Sequence, residues 1–270
     1  MAAVVLFTLL TPCQAVAEQA DVAWVAQGQF CEPETVMPLP DDTLLVSNVC
    51  GFDEAGTGFL SLLDIDGSLI DWRAADKLDA PLGMAIAGDR LYVVDSNRIR
   101  VFRRTDFSQE SVLALDTLVA NDIAVAKDLT AYVTDTVRGN VVAVDPAGNS
   151  ALLGVTGQFP GANGIHIDDQ DLYVGGERLW HFNLRDNTQT TLGPDWLRDI
   201  DGIEIEADGT LQLTPVGGPL IRLSTPIEVL DGEGISSANH GYAADIGLAF
   251  IPTGFENTVI AIRVPPREDP

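Results

Sequence analysis

From residue 34 onward the chain reads as short runs in which apolar and polar positions alternate, such as Thr43 to Ser47, Arg90 to Val94, Ala131 to Thr134 and Asp171 to Val174. A period of two is that of a strand with one face covered. The runs are broken by turn dipeptides, Asp66-Gly67, Gly88-Asp89 and Asp208-Gly209, with Pro146-Ala147-Gly148 beside them. The three- and four-residue apolar spacing of a helix is almost absent. The pattern predicts a chain made nearly entirely of strands and turns.

Similar phrases recur along the chain, each followed by a turn and another strand. They are Pro33-Glu34-Thr35-Val36, Pro81-Leu82-Gly83-Met84, Ala120-Asn121-Asp122-Ile123, Ala162-Asn163-Gly164-Ile165, Ile200-Asp201-Gly202-Ile203 and Ala244-Asp245-Ile246-Gly247. With Glu34, Gly83, Asn121, Asn163, Asp201 and Asp245 taken as equivalent, the separations run from 38 to 49 residues. That is the length of a four-stranded blade, and six repeats predict an all-β, six-bladed β-propeller. Closure of the ring falls to the last strand, Asn257 to Val264, or to the segment Val22 to Ala26. The Pro-rich tail after Val264 is expected to be loose.

Composition narrows the function classes. The 270 residues suit one β domain, and the net charge of −25 argues against a nucleic-acid partner, whose phosphates most of this surface would repel. An acidic exterior is otherwise an ordinary solvated one. Residues 1–17 read as an export signal, an apolar run ending in Ala15-Val16-Ala17, which leaves 18–270 as one domain in a periplasmic or secreted location. No stretch is a good membrane span. Removal of the signal takes Cys13 and leaves Cys31 and Cys50. A hairpin around Pro38 to Asp42 that pairs Met37 with Leu44 would also set Cys31 opposite Cys50. The reading leaves open a cross-strand disulfide or two buried thiols.

In a propeller the first strand of every blade lines the channel, so equivalent positions meet at one mouth. Here they hold Glu34, Asn121, Asn163, Asp201 and, in the sixth phrase, Asp245. Carboxylate and amide oxygens are hard ligands suited to Ca²⁺ and, less comfortably, to Mg²⁺ or Mn²⁺. Any one of Asn-Asp, Asn-Gly or Asp-Gly alone is ordinary turn chemistry. Their common register is what points to a metal site.

Several passages resemble the family of senescence marker protein (regucalcin), gluconolactonase and luciferin-regenerating enzyme, with the paraoxonases as structural cousins. Those passages are PETVMPLPDDTLLVSNVCG, DAPLGMAIAGDRLYVVDSNRIRVF, ANDIAVAKDLTAYVTDTVRGNVVAVD, GANGIHIDDQDLYVGG, IDGIEIEADG and AADIGLAFIPTGFENTVIAIRV. The resemblance spans about residues 33 to 264. It implies a calcium-type ion held by Glu34, Asn163 and Asp201, with Asn121 contacting substrate or also reaching the metal. It further implies hydrolysis of a small-molecule lactone or related ester, with Asp201 activating water. The chain departs from the family at Leu82, where a Lys is frequent, and at Leu213 to Gly218, where blade five is expected to have a distorted strand. Its first phrase is Pro-Glu-Thr rather than Glu-Gly-Pro, which argues against gluconolactone itself.

Among other residues, His166 and His240 lie near repeat starts and are expected to line the pocket, His166 as a substrate contact, while His181 after Trp180 reads as structural. Three histidines without clustered cysteines argue against zinc. No Gly-x-Ser-x-Gly elbow or phosphate-cradling loop is present. Asp64-Ile65-Asp66-Gly67 lacks EF-hand spacing and reads as a hairpin. Trp72, Trp180, Trp196 and Phe255 read as blade packing. The leading function is a metal-dependent lactone or ester hydrolase. The competing readings are a secreted propeller binding a small ligand or protein partner around a structural calcium ion, and a scaffold with no specific ion. Neither oligomeric state nor the native ion follows from the sequence.

Overall fold

The computed structural model describes residues 21–52, 54–230 and 238–266; the predicted export signal lies outside them. The described residues form six four-stranded antiparallel sheets in a ring, a six-bladed β-propeller. The innermost strands of blades 1 to 6 are β2 (Pro33–Pro38), β6 (Pro81–Ala87), β10 (Ala120–Val125), β14 (Ile165–Asp168), β18 (Ile200–Ile205) and β22 (Gly241–Ala243). Blade 6 is completed by β23 (Leu248–Thr253), β24 (Thr258–Arg263) and β1 (Val22–Gln27), in the order β22-β23-β24-β1. Both segments considered for closure thus lie in one sheet. The N-terminal strand is its outer edge, paired from Gln27↔Thr258 to Val22↔Ile262.

Alternation explains how the ring holds together. A blade has two faces, each covered by a neighbouring blade, so strands near the axis are apolar on both sides. In β3 (Thr43–Asn48) Leu44 and Val46 pack toward Phe250 and Val259 of blade 6, while Leu45 packs toward Leu91 and Val93 of blade 2. Each of the six interfaces between blades carries a buried apolar cluster of this kind. The core is therefore divided into six wedges around the axis.

One expectation about register is corrected. The first hairpin pairs Met37 with Leu45 and Pro38 with Leu44, one residue from the expected Met37 to Leu44. An irregularity between Pro33 and Val36 absorbs the difference, so that Cys50 N–H donates to the Cys31 carbonyl at 3.1 Å and the two sulfurs are bonded. Blade 5, where a distorted strand is expected, has its irregularity in the ladder between β18 and β19 (Leu211–Pro215), which slips between Ile200 and Gly202. The shortening falls on its outer strands, β20 (Ile221–Arg222) and β21 (Glu228–Val229), two residues each.

Candidate metal centre at the channel mouth

Strand pairing fixes which residues are equivalent. Val36, Met84, Ile123, Ile165, Ile203 and Gly241 each face the matching residue of the second strand in their blade. Two positions earlier stand Glu34, Leu82, Asn121, Asn163, Asp201 and Asn239. Two assignments change. The blade 2 equivalent is Leu82 rather than Gly83. The blade 6 equivalent is Asn239 rather than Asp245, which sits exposed in the turn between β22 and β23, at the opposite end of the strand. Asn239 is buried, and its backbone pairs with blade 1 through Asn239 N–H to Glu34 O at 3.0 Å and Val36 N–H to Asn239 O at 3.2 Å.

The position is aimed inward by a local irregularity. In blades 1, 2, 3 and 5 the ladder between first and second strands slips at this point, a bulge of the kind that redirects a side chain. In the odd blades a hydroxyl of the second strand occupies the gap. Ser47 Oγ accepts from Thr35 N–H at 3.0 Å, Thr134 Oγ1 from Asp122 N–H at 2.9 Å and Thr214 Oγ1 from Gly202 N–H at 3.1 Å. Thr134 and Thr214 also donate to the next blade, at Asn163 O (2.7 Å) and Ala238 O (2.8 Å). The hydroxyls satisfy backbone groups that the bulge takes out of the ladder.

The glycines that follow are not turn glycines. Gly164 and Gly202 lie at the head of inner strands, without positive φ, where the next blade comes close. A Cβ on Gly164 would stand 1.5 Å from the Asp201 carbonyl oxygen, and one on Gly202 only 2.2 Å from Thr214 Oγ1. A Cβ on Gly83 would meet the Asp122 carboxylate at 2.0 Å. Asn-Gly and Asp-Gly here serve close approach of inner strands.

The mouth gathers acidic groups with few counter-charges. Burial raises the Glu34 carboxyl to about 7, against a hydrogen bond from Thr35 Oγ1 at 2.6 Å that lowers it. Burial likewise lifts Asp201 well above the ordinary carboxylate range, with the charges of Glu34 and Asp122 adding to the rise. Asp122 is pushed up to about 8, first by burial and then by the Glu34 charge, although Ile165 N–H (2.9 Å), Ile123 N–H (2.8 Å) and the Asn239 side chain donate to it. The side-chain Oδ1 atoms of Asn121, Asn163 and Asp201 are buried and have no hydrogen-bond partner. Among the described residues no three His, Cys, Asp or Glu side chains form a ligand cluster by themselves. The candidate set is instead mixed: Glu34 and Asp201 with the amides Asn121 and Asn163. Unpartnered buried oxygens and carboxyls held above their usual range are what a hard divalent cation would satisfy, so these residues fit such an ion.

Further along the axis a channel cavity of about 230 Å³ is lined by Asp122, His166, Glu204 and His240 among apolar residues. His166 follows Asn163 by three residues, about 10 Å along a strand, which puts it on this cavity rather than at the mouth. Its Nδ1 lies 3.1 Å from Ile203 O and 3.9 Å from Glu204, and burial lowers its pKa. Burial pushes His240 down to about 3 and Glu204 up to about 8. Sequence reasoning missed Asp122, Glu204 and Asn239. Asp122 looked like the second half of a turn dipeptide, Glu204 like the polar beat of an alternating strand, and Asn239 was hidden by the more phrase-like Ala244-Asp245-Ile246.

No protein-family model and no curated protein matches the chain. Solved structures do. A streptogramin B lyase is similar with a TM-score of 0.64 and 11% identity, over 90% of this chain and 98% of that one. The catalytically inactive virginiamycin B lyase from Staphylococcus aureus with quinupristin is similar at 0.60 and 12%, over 90% and 99%. A protein of unknown function from Bacteroides thetaiotaomicron is similar at 0.69 and 11%, over 90% and 73%. What is shared is the fold. At these identities the likeness carries the six-bladed ring and not the chemistry.

Proposed function

We propose that this chain belongs with the regucalcin and gluconolactonase group and is a divalent-cation-dependent hydrolase of a lactone or related ester. The observation that carries this reading is the set of unpartnered, buried Oδ1 atoms of Asn121, Asn163 and Asp201, at equivalent positions in three successive blades and joined by Glu34. Ca²⁺ is the ion best matched to such oxygen donors, with Mg²⁺ or Mn²⁺ as alternatives. When bound, it would polarise a carbonyl and stabilise the oxyanion formed on attack by water.

The chain's own residues supply the rest. Glu34 in blade 1 and Asp201 in blade 5 bring negative charge from the two sides of blade 6, and Asn121 and Asn163 bring neutral oxygens from blades 3 and 4, so the donor set stays below full carboxylate repulsion. Asp201 is also the base: with its buried Oδ1 turned to the cation, its other carboxylate oxygen would take the proton of the attacking water. Asn121 would orient the substrate as well. The Asp122 carboxylate, engaged by two backbone N–H groups, fixes blade 3 against blade 4 beneath the ring. That rigid floor keeps the oxygens preorganised.

The test is a Ca²⁺ titration of chelator-stripped mature protein, following melting temperature and hydrolysis of a panel of small lactones and aryl esters. Saturable stabilisation with metal-dependent turnover, both lost in Asp201→Asn, is expected. Stabilisation without turnover on any panel member would instead favour the ligand-binding propeller with a structural ion.

A further inference from the structure

The two faces of the ring differ in a way that neither folding nor the metal centre requires. Inner strands begin at the mouth, so each loop between second and third strands, and each connection from one blade to the next, lies on the mouth face. Hairpins between first and second strands lie on the opposite face. On the mouth face six loops end in exposed apolar side chains: Phe52, Val137, Val155, Trp196, Val216 and Phe255. Phe255 is 92% exposed, Phe52 69% and Trp196 65%. The reading of Trp196 and Phe255 as blade packing is thereby corrected, whereas Trp180 does pack, edge-on against Phe159.

On the opposite face all six first hairpins carry an aspartate, Asp41, Asp89, Asp128, Asp169, Asp208 and Asp245. Among the described residues its turns expose one large apolar side chain, Ile246, at 48%, and the strand ends beside them add Val22, Leu69 and Ile70, none of them aromatic. Single exposed apolar residues are ordinary on any protein. Segregation to one face, from loops that are unrelated in sequence, is not, because turns at the two ends of a blade face the same folding demands.

We propose that the mouth face docks on a zwitterionic lipid surface, with these tips inserted at the headgroup level. The tips are separate and stand around a ring, which suits individual insertion into a soft interface better than a flat protein contact. Trp and Phe are residues that settle at such interfaces. Charge selects the lipid. Arg138 pairs with Asp116 at 3.1 Å, Arg178 with Asp195 at 2.8 Å and Arg98 with Asp79, while Arg198 donates to the Asp195 carbonyl. With Glu54, Glu177, Asp199 and Glu256 exposed on the same loops, the face is net acidic and offers no basic patch of the kind anionic headgroups attract. The aspartate-bearing hairpins of the opposite face are turned away. The Phe255 loop is also held to the mouth: Asn257 Oδ1 accepts from Glu32 N–H at 2.6 Å. Docking would set the channel mouth against the bilayer.

Flotation of the purified mature protein with phosphatidylcholine vesicles tests this without reference to metal or turnover. We expect co-flotation at millimolar lipid, a loss of about tenfold or more in the double variant Trp196→Ser, Phe255→Ser, and no loss in Ile246→Ser on the other face. Quenching of tryptophan fluorescence by brominated acyl chains should disappear in Trp196→Phe. Because the substituted side chains are exposed, each variant should melt like the parent. Failure to float with phosphatidylcholine, equal loss in Ile246→Ser, or flotation only with anionic lipid would overturn the proposal. So would capture of a soluble protein by this face while vesicles are ignored.

Discussion

Blade 2 and blade 4 begin alike, Pro81-Leu82-Gly83-Met84 against Ala162-Asn163-Gly164-Ile165, and both fold into complete four-stranded sheets. At the position that faces the mouth one has a leucine and the other an asparagine. Leu82 is buried and packs with Val49 and Ala80. Asn163 presents a buried oxygen with no partner. The ring closes as well with an apolar side chain as with a polar one, so the oxygens of blades 3, 4 and 5 are not there to make a propeller. An unpartnered buried polar atom costs stability, on the order of 1–3 kcal/mol. Three of them at one register call for a ligand that offsets the cost.

The comparison is broken most directly by making blade 4 resemble blade 2. Asn163→Leu should leave the melting temperature of chelated protein within about 3 °C of the parent, abolish the rise on adding Ca²⁺, and lower turnover about a hundredfold or more. A retained calcium response, read by differential scanning calorimetry, would mean that Asn163 is not a ligand. A second break acts on the scaffold that holds Glu34. The Cys31–Cys50 bond closes a loop with a sequence separation of 19. Cys31→Ser with Cys50→Ser should cost about 3 kcal/mol in denaturant unfolding and weaken Ca²⁺ binding, because Glu34 lies three residues from the lost anchor.

How much of this was legible follows from the same pair of blades. Five of six inner strands announce themselves by a short phrase followed by an apolar run, so the blade count could be read from the sequence. The sixth could not be registered. Its phrase is Ala238-Asn239-His240-Gly241, with glycine where the others carry Val, Met or Ile, because a Cβ there would stand 2.3 Å from Val36 O. Ala244-Asp245-Ile246 mimics the pattern in a turn that serves another purpose. Asn121, Asn163, Asp201 and Glu34 were readable because register is a linear property. Asp122 was not. In a regular strand neighbours point to opposite faces, and only the bulge lets Asn121 and Asp122 both serve the axis. The asymmetry between mouth and opposite face was hidden for a different reason: it appears only when loops are sorted by the end of the blade they occupy.

A smaller effect is expected from pH alone. Glu34, Asp122 and Glu204 are held at about 7, 8 and 8 in the folded chain, above their ordinary values near 4. Between those limits the folded protein keeps protons that the unfolded chain has released, so stability falls as pH rises through the window. Chelated protein should lose about 5 °C or more in melting temperature from pH 5 to pH 8. Saturating Ca²⁺ should flatten that slope, since a bound cation favours the ionised carboxylates of the ring. A slope of the same size with and without calcium would separate the carboxyl cluster from the ion.

The smallest effect belongs to a histidine that sharpens the contrast between surface and channel. His181 Nε2 lies 2.7 Å from Asp171 Oδ1, and this contact, together with Asn183, lowers the Asp171 pKa. The sign is opposite to that of the channel carboxyls: Asp171 contributes stability above its unfolded pKa and loses it as pH falls. The pair sits on the blade 4 sheet, partly open to solvent, where screening leaves an ion pair worth little. His181→Ala should therefore move the melting temperature at pH 7 by no more than about 2 °C and leave the calcium response untouched. His240 has the same side chain in a different setting, fully enclosed, 3.0 Å from Thr214 Oγ1 and lining the cavity beneath the ring. If His181→Ala altered the calcium response, outer and inner strands of blade 4 would be energetically coupled, and the division of the propeller into a structural rim and a functional axis would fail.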